Sequence, residues 1–164
     1  MLSAQESIAC EFATKKHELQ RYGEQPYTVH LQAVRNILQW AGVENDHPLA
    51  IAAWLHDTLE DTNTTHDEIT ARFGEEVTAL VWAVTGVGAN RKERNAHAYA
   101  KMRAHPSAIT LKLADRIANV EASATVPDKL AMYQKEWPSF RDALAGHGPP
   151  ALWQRLREAL GLEH

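Results

Sequence analysis

Between Ile51 and Asp61 the chain reads Ile-Ala-Ala-Trp-Leu-His-Asp-Thr-Leu-Glu-Asp, an apolar run that ends in one imidazole and three carboxylates. His56 and Asp57 offer adjacent nitrogen and oxygen donors, a mixture suited to a divalent cation. Glu60 and Asp61 lie three and four residues beyond Asp57, so one helical turn sets them beside the same ion. The pair alone is a weak signal, because a second His-Asp dipeptide, His66-Asp67, lies in a polar stretch. There Thr65 and Glu68 have capping-box spacing, which reads as a solvated helix start. His56-Asp57 differs because it follows an apolar face, and a buried charge needs either a partner or a metal. On its own the pair fits a structural ion pair and a ligand pair equally well.

Positioning such a pair falls to helices, and the chain reads as helix almost throughout. Ile51, Trp54, Leu55 and Thr58 fall at i, i+3, i+4 and i+7, one face turned to a core. Asn45 or Asp46 can cap this helix, and Pro48 suits its first turn. Before it, a helix from Ser3 to about Gln20 carries Ile8, Phe12, the Lys15 stem and Leu19 along one side, and residues 21–27 break it. Thr28 can cap the next helix, which buries Leu31, Val34, Ile37, Leu38 and Ala41 and ends at Gly42, with His30 in its first turn. After the opening segment come a short helix from about Asp67 to Phe73, stopped by Gly74, and another from Glu75 to Thr85. Gly86 to Asn90 reads as the most flexible linker, and Arg91-Lys92-Glu93-Arg94 opens a helix that ends near Pro106. That charge run fits either a solvated helix start or a mobile basic edge facing phosphates. Ser107 to about Ala124 is strongly apolar, so Asp115 within it needs a partner, and a metal is one candidate. Asp128 to Ala145 is expected to break or bend at Pro138, and Pro149-Pro150 introduces a last helix with Leu152, Trp153, Leu156 and Leu160. The fold class is all-α, a single bundle of about seven to nine helices.

His30, His56, Asp57 and Asp115 thus form a set spread over three core helices. A lone His30 would be an ordinary helix histidine; the order His, His-Asp, Asp, each with apolar flanks, makes the set specific. Two imidazoles and two carboxylates fit Mn²⁺, Fe²⁺ or Zn²⁺ better than Ca²⁺, and Mg²⁺ less well because of the imidazoles. The 164 residues suit one domain, expected over 1–161, with Leu162 to His164 reading as the remnant of a purification tag. Seventeen basic against 21 acidic residues give a net charge of −4, which argues against broad nucleic-acid binding but leaves room for a small phosphorylated ligand. The sequence has no apolar run approaching the ~18 residues of a membrane span, and no signal segment. Cys10 is the single cysteine, so no internal disulfide or Cys-rich zinc site can form. A cytoplasmic protein with no membrane partner is expected; oligomeric state stays open.

Three segments carry a resemblance. Arg21 with Pro26-Tyr27-Thr28-Val29-His30, then Leu55-His56-Asp57-Thr58-Leu59-Glu60-Asp61-Thr62, then Leu111-Lys112-Leu113-Ala114-Asp115-Arg116-Ile117-Ala118-Asn119, resemble the HD superfamily of metal-dependent phosphohydrolases. Within it, the chain is similar to the hydrolase domain of RelA/SpoT-type enzymes and to the stand-alone small alarmone hydrolases, over about residues 15–125. The resemblance implies an HD-domain bundle that removes the 3′-pyrophosphate of guanosine tetra- or pentaphosphate, usually with Mn²⁺. It implies His30, His56, Asp57 and Asp115 as metal ligands, and Glu60 and Asp61 as the catalytic acids that handle the attacking water. It assigns Arg21 to packing on the base, Asn119 to the nucleoside, and Lys112 to a phosphate or structural contact. Lys92 or Arg94 could assist with phosphoryl charge. Without the resemblance, Arg21 reads equally as a surface arginine at a helix end. The chain departs from the family at Leu31, where proline is usual, at Tyr22-Gly23, and at Val120-Glu121-Ala122. These positions surround the nucleoside, so an adenosine alarmone or another 3′-phosphorylated nucleotide stays open. The length suggests hydrolysis alone, with no synthetase domain. Two rival readings are a generic HD nucleotidase or phosphodiesterase acting on another nucleotide, and a catalytically silent nucleotide-binding regulator on the same scaffold.

Overall fold

The computed structural model describes residues 1–162, so most of the expected tag remnant lies outside the described residues. Nine helices and one small hairpin are found among them. They are α1 (Ala4–Lys16), β1 (Arg21–Tyr22), β2 (Gln25–Pro26), α2 (Thr28–Trp40), α3 (Pro48–Leu55), α4 (Thr58–Asp61), α5 (His66–Val84), α6 (Arg91–Ala104), α7 (Ser107–Ala122), α8 (Pro127–Leu144) and α9 (Pro150–Ala159). β1 and β2 pair antiparallel, Arg21 opposite Pro26 and Tyr22 opposite Gln25, across the stretch expected only to break the first helix. The fold is all-α in every other element.

Two helices sit at the centre. Every residue of α3 from Leu49 to Leu55 is buried, and α3 packs on α1, α2, α5 and α7. Full burial of a side chain such as Leu55 contributes about 1.5–3 kcal/mol. α7 packs on α2, α5 and α9 through Ile109, Leu113 and Ile117 among others, and also buries Asp115 and Arg116.

Local chemistry sets the helix ends. The Thr65 and Glu68 side chains close the expected capping box at the start of α5. Asn90 Oδ1 accepts from the Glu93 N–H at 2.9 Å to start α6. His47 caps α3 in place of Asn45 or Asp46, its Nδ1 accepting from the Leu49 N–H at 3.1 Å. The expected caps are otherwise engaged: Asn45 Oδ1 accepts from Arg35 at 3.0 Å, and Asp46 adopts a left-handed φ of 59°. Gly74, at φ 86°, bends α5 into the two halves expected as separate helices. α8 runs on through Pro138 without breaking; Tyr133, Phe140 and Leu144 hold it to the core on both sides of the lost hydrogen bond.

α1 departs most from expectation. It ends at Lys16, and Ile8 and Leu19 are 46% and 94% exposed. The buried face is instead Glu6, Ala9, Phe12 and Ala13. Glu6 can turn inward because Arg35 of α2 pairs with it in the core, and because it also accepts from Trp54 Nε1 at 3.4 Å and the Asp46 N–H at 3.3 Å.

Candidate metal centre

The expected helix through Asp61 is interrupted at the His-Asp dipeptide. α3 stops at Leu55 and α4 begins at Thr58. Side chains take the carbonyls that a continuing helix would use: Thr58 Oγ1 donates to Leu55 O at 2.7 Å, and His56 Nδ1 lies 2.7 Å from Ala53 O. A carbonyl only accepts, so His56 Nδ1 carries a proton, and in the neutral ring Nε2 is left with its lone pair.

That lone pair meets carboxylate oxygens. His56 Nε2 lies 3.1 Å from Asp57 Oδ2 and 3.3 Å from Asp115 Oδ1, and His30 Nε2 lies 3.0 Å from Asp115 Oδ1 and 3.6 Å from Asp57 Oδ2. One ligand atom from each of the four residues falls within 4.8 Å of all the others. His56 Nε2 is buried and has no hydrogen-bond partner among the described residues. A lone pair facing two carboxylates calls for a cation, so these residues fit a divalent metal ion. The same field shows in their acid–base behaviour. Burial works against a charged His56, yet Asp57 and Asp115 outweigh it and hold the imidazole well above its ordinary pKa. Burial is likewise overridden at Asp57 by His56, and at Asp115 by Lys112 and the two imidazoles, so both carboxyls lie below the usual range.

A surrounding set of side chains fixes the four. Tyr27 Oη donates to Asp57 Oδ2 at 2.6 Å, Lys112 Nζ to Asp115 Oδ2 at 2.8 Å, and Asn119 Nδ2 to Asp115 Oδ1 at 3.0 Å. Tyr22 Oη donates to Asn119 Oδ1 at 2.8 Å, and its ring stacks on His30 with centroids 4.9 Å apart. Burial and the adjacent Asp57 push the Tyr27 phenol far up, so it stays a donor. Lys112 and Asn119, expected at the substrate, touch Asp115 directly, and both line the cavity described next.

The cavity holds about 220 Å³ and exposes His56, Asp57, Glu60, Asp61 and Asp115 to one space. Glu60 Oε1 accepts from the Gly86 N–H at 2.9 Å, and Asp61 Oδ2 from Gln20 Nε2 at 3.1 Å. Burial raises both carboxyls, and the charge on Asp57 raises them further. Such acids are poised to hold water and take a proton from it. Arg91, Arg94 and Arg116 line the same space. Arg91 and Arg116 are both paired with Glu136, whereas Arg94 has no ion-pair partner among the described residues. Lys92 is exposed and does not line it. Arg21 is exposed on β1, with no side-chain hydrogen bond or ion pair among the described residues. A larger open groove of about 860 Å³, lined largely by α1 and α5 residues, shares Asp61 with it but contains none of the four clustered residues. Chemistry rather than size therefore places the site in the smaller cavity.

The linker 86–90 is fastened, contrary to the flexibility expected of it. Ala89 N–H donates to Glu93 at 2.8 Å and Val87 N–H to His97 Nδ1 at 3.2 Å, both on α6. A Cβ on Gly86 would sit 2.6 Å from Arg94 O, so glycine here serves close packing. Gly86 and Gln20 are the site residues that sequence reasoning missed. A backbone donor leaves no trace in side-chain type, while Gln20 falls at the expected end of a helix that stops at Lys16. Tyr27 stood within the Pro-Tyr-Thr-Val-His block, three residues before His30, and that spacing was its signal.

A sequence profile of the HD domain matches residues 9–139. A guanosine-3′,5′-bis(diphosphate) 3′-pyrophosphohydrolase from Aquifex aeolicus is 45% identical over 119 residues, covering 69% of this chain and 17% of that protein. MESH1 enzymes described by the same activity are 38% identical in Xenopus tropicalis (68% of this chain, 65% of that one) and 37% identical in Homo sapiens (72% and 69%). The chain thus spans 17% and 65% of the first two of these relatives. A solved structure of a metazoan ortholog of SpoT that hydrolyzes ppGpp superposes with a TM-score of 0.84 at 26% identity, covering 98% of this chain and 96% of that one. No helix among the described residues is long and apolar enough to cross a membrane.

Proposed function

Since the chain belongs to the HD domain family, we propose that it is a metal-dependent phosphohydrolase that removes the 3′-pyrophosphate of guanosine 3′,5′-bis(diphosphate), with residues 1–161 acting as one domain. The observation that carries this reading is the convergence of His30, His56, Asp57 and Asp115, the last three of which line a cavity together with Glu60, Asp61 and Arg94. A divalent ion held by that set, Mn²⁺ as the family resemblance implies, would supply Lewis acidity and make water more acidic. Glu60 and Asp61 hold the attacking water and take its proton. Water oxygen forms a bond to the phosphorus on the ribose 3′-oxygen; that P–O bond breaks, its electron pair goes to O3′, and pyrophosphate is released. O3′ takes up the proton that the carboxylate gained. Lys112 and Arg94 offset charge on the phosphoryl oxygens. Asn119 meets the nucleoside, and Arg21, free on the hairpin beside Tyr22, lays its planar guanidinium on the base.

The test is to incubate the purified protein and Mn²⁺ with guanosine and adenosine 3′-pyrophosphates and identify products by phosphorus NMR. Guanosine 5′-diphosphate and pyrophosphate in equal amounts are expected. Release of orthophosphate, or no turnover of either nucleotide, would overturn the reading.

A further inference from the structure

Lys101 of α6 points its ammonium at the C-terminal end of α5, where the last turn supplies no basic residue of its own. Nζ donates to Trp82 O at 2.6 Å and also to Thr85 O, and it lies 3.4 Å from the centroid of the Trp82 ring. It forms no ion pair with a carboxylate among the described residues. The Thr85 carbonyl and the Gly86 N–H belong to one peptide group. Because that group is planar and trans, its C=O and N–H point in opposite directions. Lys101 therefore grips one edge of the plane while the other edge donates to Glu60 Oε1 at 2.9 Å.

We propose that Lys101 is a positioning residue for Glu60, acting through the Thr85–Gly86 peptide. Two physical effects support it. An ammonium on the carbonyl oxygen draws electron density across the amide and makes its N–H a stronger donor to a carboxylate. It also opposes rotation of the peptide, which glycine would otherwise permit because it has no Cβ to restrict it. The rest of the segment is strapped to the same side of α6, since Glu93, His97 and Lys101 recur every four residues and each bonds to backbone between Trp82 and Ala89. Glu60 is the electrostatic partner that favours the charged form of Lys101, against burial, which lowers its pKa to about 8. The inference deepens the proposed reaction and rests on Glu60 handling the water.

The experiment compares Lys101→Met, which keeps a chain of similar length without the charge, with Lys101→Arg, which restores donors and charge. In the full-length protein the Gly86 amide is followed by NMR, with no substrate needed. Lys101→Met should move that proton upfield and speed its exchange about tenfold or more, and Lys101→Arg should restore most of both. Turnover of Lys101→Met with Mn²⁺ should fall about tenfold in kcat with KM within about twofold, and adding it to Glu60→Gln should cause no further loss. An unchanged Gly86 amide, or losses that multiply in the double variant, would overturn the proposal. If the wild-type protein fails to release pyrophosphate, the substrate assignment falls while the amide measurement still decides the role of Lys101.

Discussion

Each of the four clustered residues is asked to give up water for a place beside charged neighbours, so removing one leaves the others uncompensated. Asp57→Ala is expected to abolish Mn²⁺ binding by calorimetry and turnover together. Glu60→Gln should bind Mn²⁺ normally and lose about 10²-fold or more in kcat, as expected for loss of a proton acceptor; full retained activity would reject that assignment. Tyr27→Phe deletes the 2.6 Å bond to Asp57 and should weaken Mn²⁺ about tenfold with the fold intact. His30, His56, Asp57 and Asp115 were legible as letters because imidazole and carboxylate on apolar faces demand a partner. Gly86 was not, since its contribution is an N–H group that every residue but proline carries.

Helices hold these groups by means that pH can probe separately from catalysis. The buried Glu6–Arg35 pair joins α1 to α2, and the approach to α3 closes on it through Asp46. Burial alone would raise the Glu6 carboxyl, but Arg35 overrides it and sets the pKa below the ordinary value. A depressed carboxyl stabilises the fold above its unfolded pKa of about 4.5 and loses that contribution as pH falls through the folded value. The melting temperature should therefore drop more steeply below about pH 4.5 than in the Glu6→Gln, Arg35→Met double variant. An identical acid limb in the two proteins would show that the pair contributes nothing. At this scale the apolar period located most helices, and it failed at α1 for a definite reason. A charge paired inside outweighed the exposed Ile8 and Leu19, and no one-dimensional pattern records a partner 29 residues away. The break at His56-Asp57 escaped notice similarly, because Thr58 and His56 terminate α3 by side-chain bonds that helical spacing does not reveal.

Across the whole molecule the cluster ties together chain positions from His30 to Asp115, so a bound ion acts as a cross-link. Mn²⁺ at about 100 times its Kd should add roughly 2.7 kcal/mol, a rise in melting temperature of roughly 5–10 °C for a chain of this size, reversed by chelator and absent in His56→Ala. A calorimetric scan with and without Mn²⁺ checks it; no shift at saturating ion would mean that the cluster binds none. The central position of α7 sets a further constraint. Lys112, Asp115, Arg116 and Asn119 form a polar stripe on a helix whose other sides are filled by Ile109, Leu113 and Ile117. One residue inserted near its start would turn that stripe by about 100°, setting Leu111 where Lys112 stands, Ala114 where Asp115 stands and Arg116 where Ile117 packs. Related chains can therefore differ in letter along this helix but not in count, and any variation in length has to be absorbed by the turns on either side.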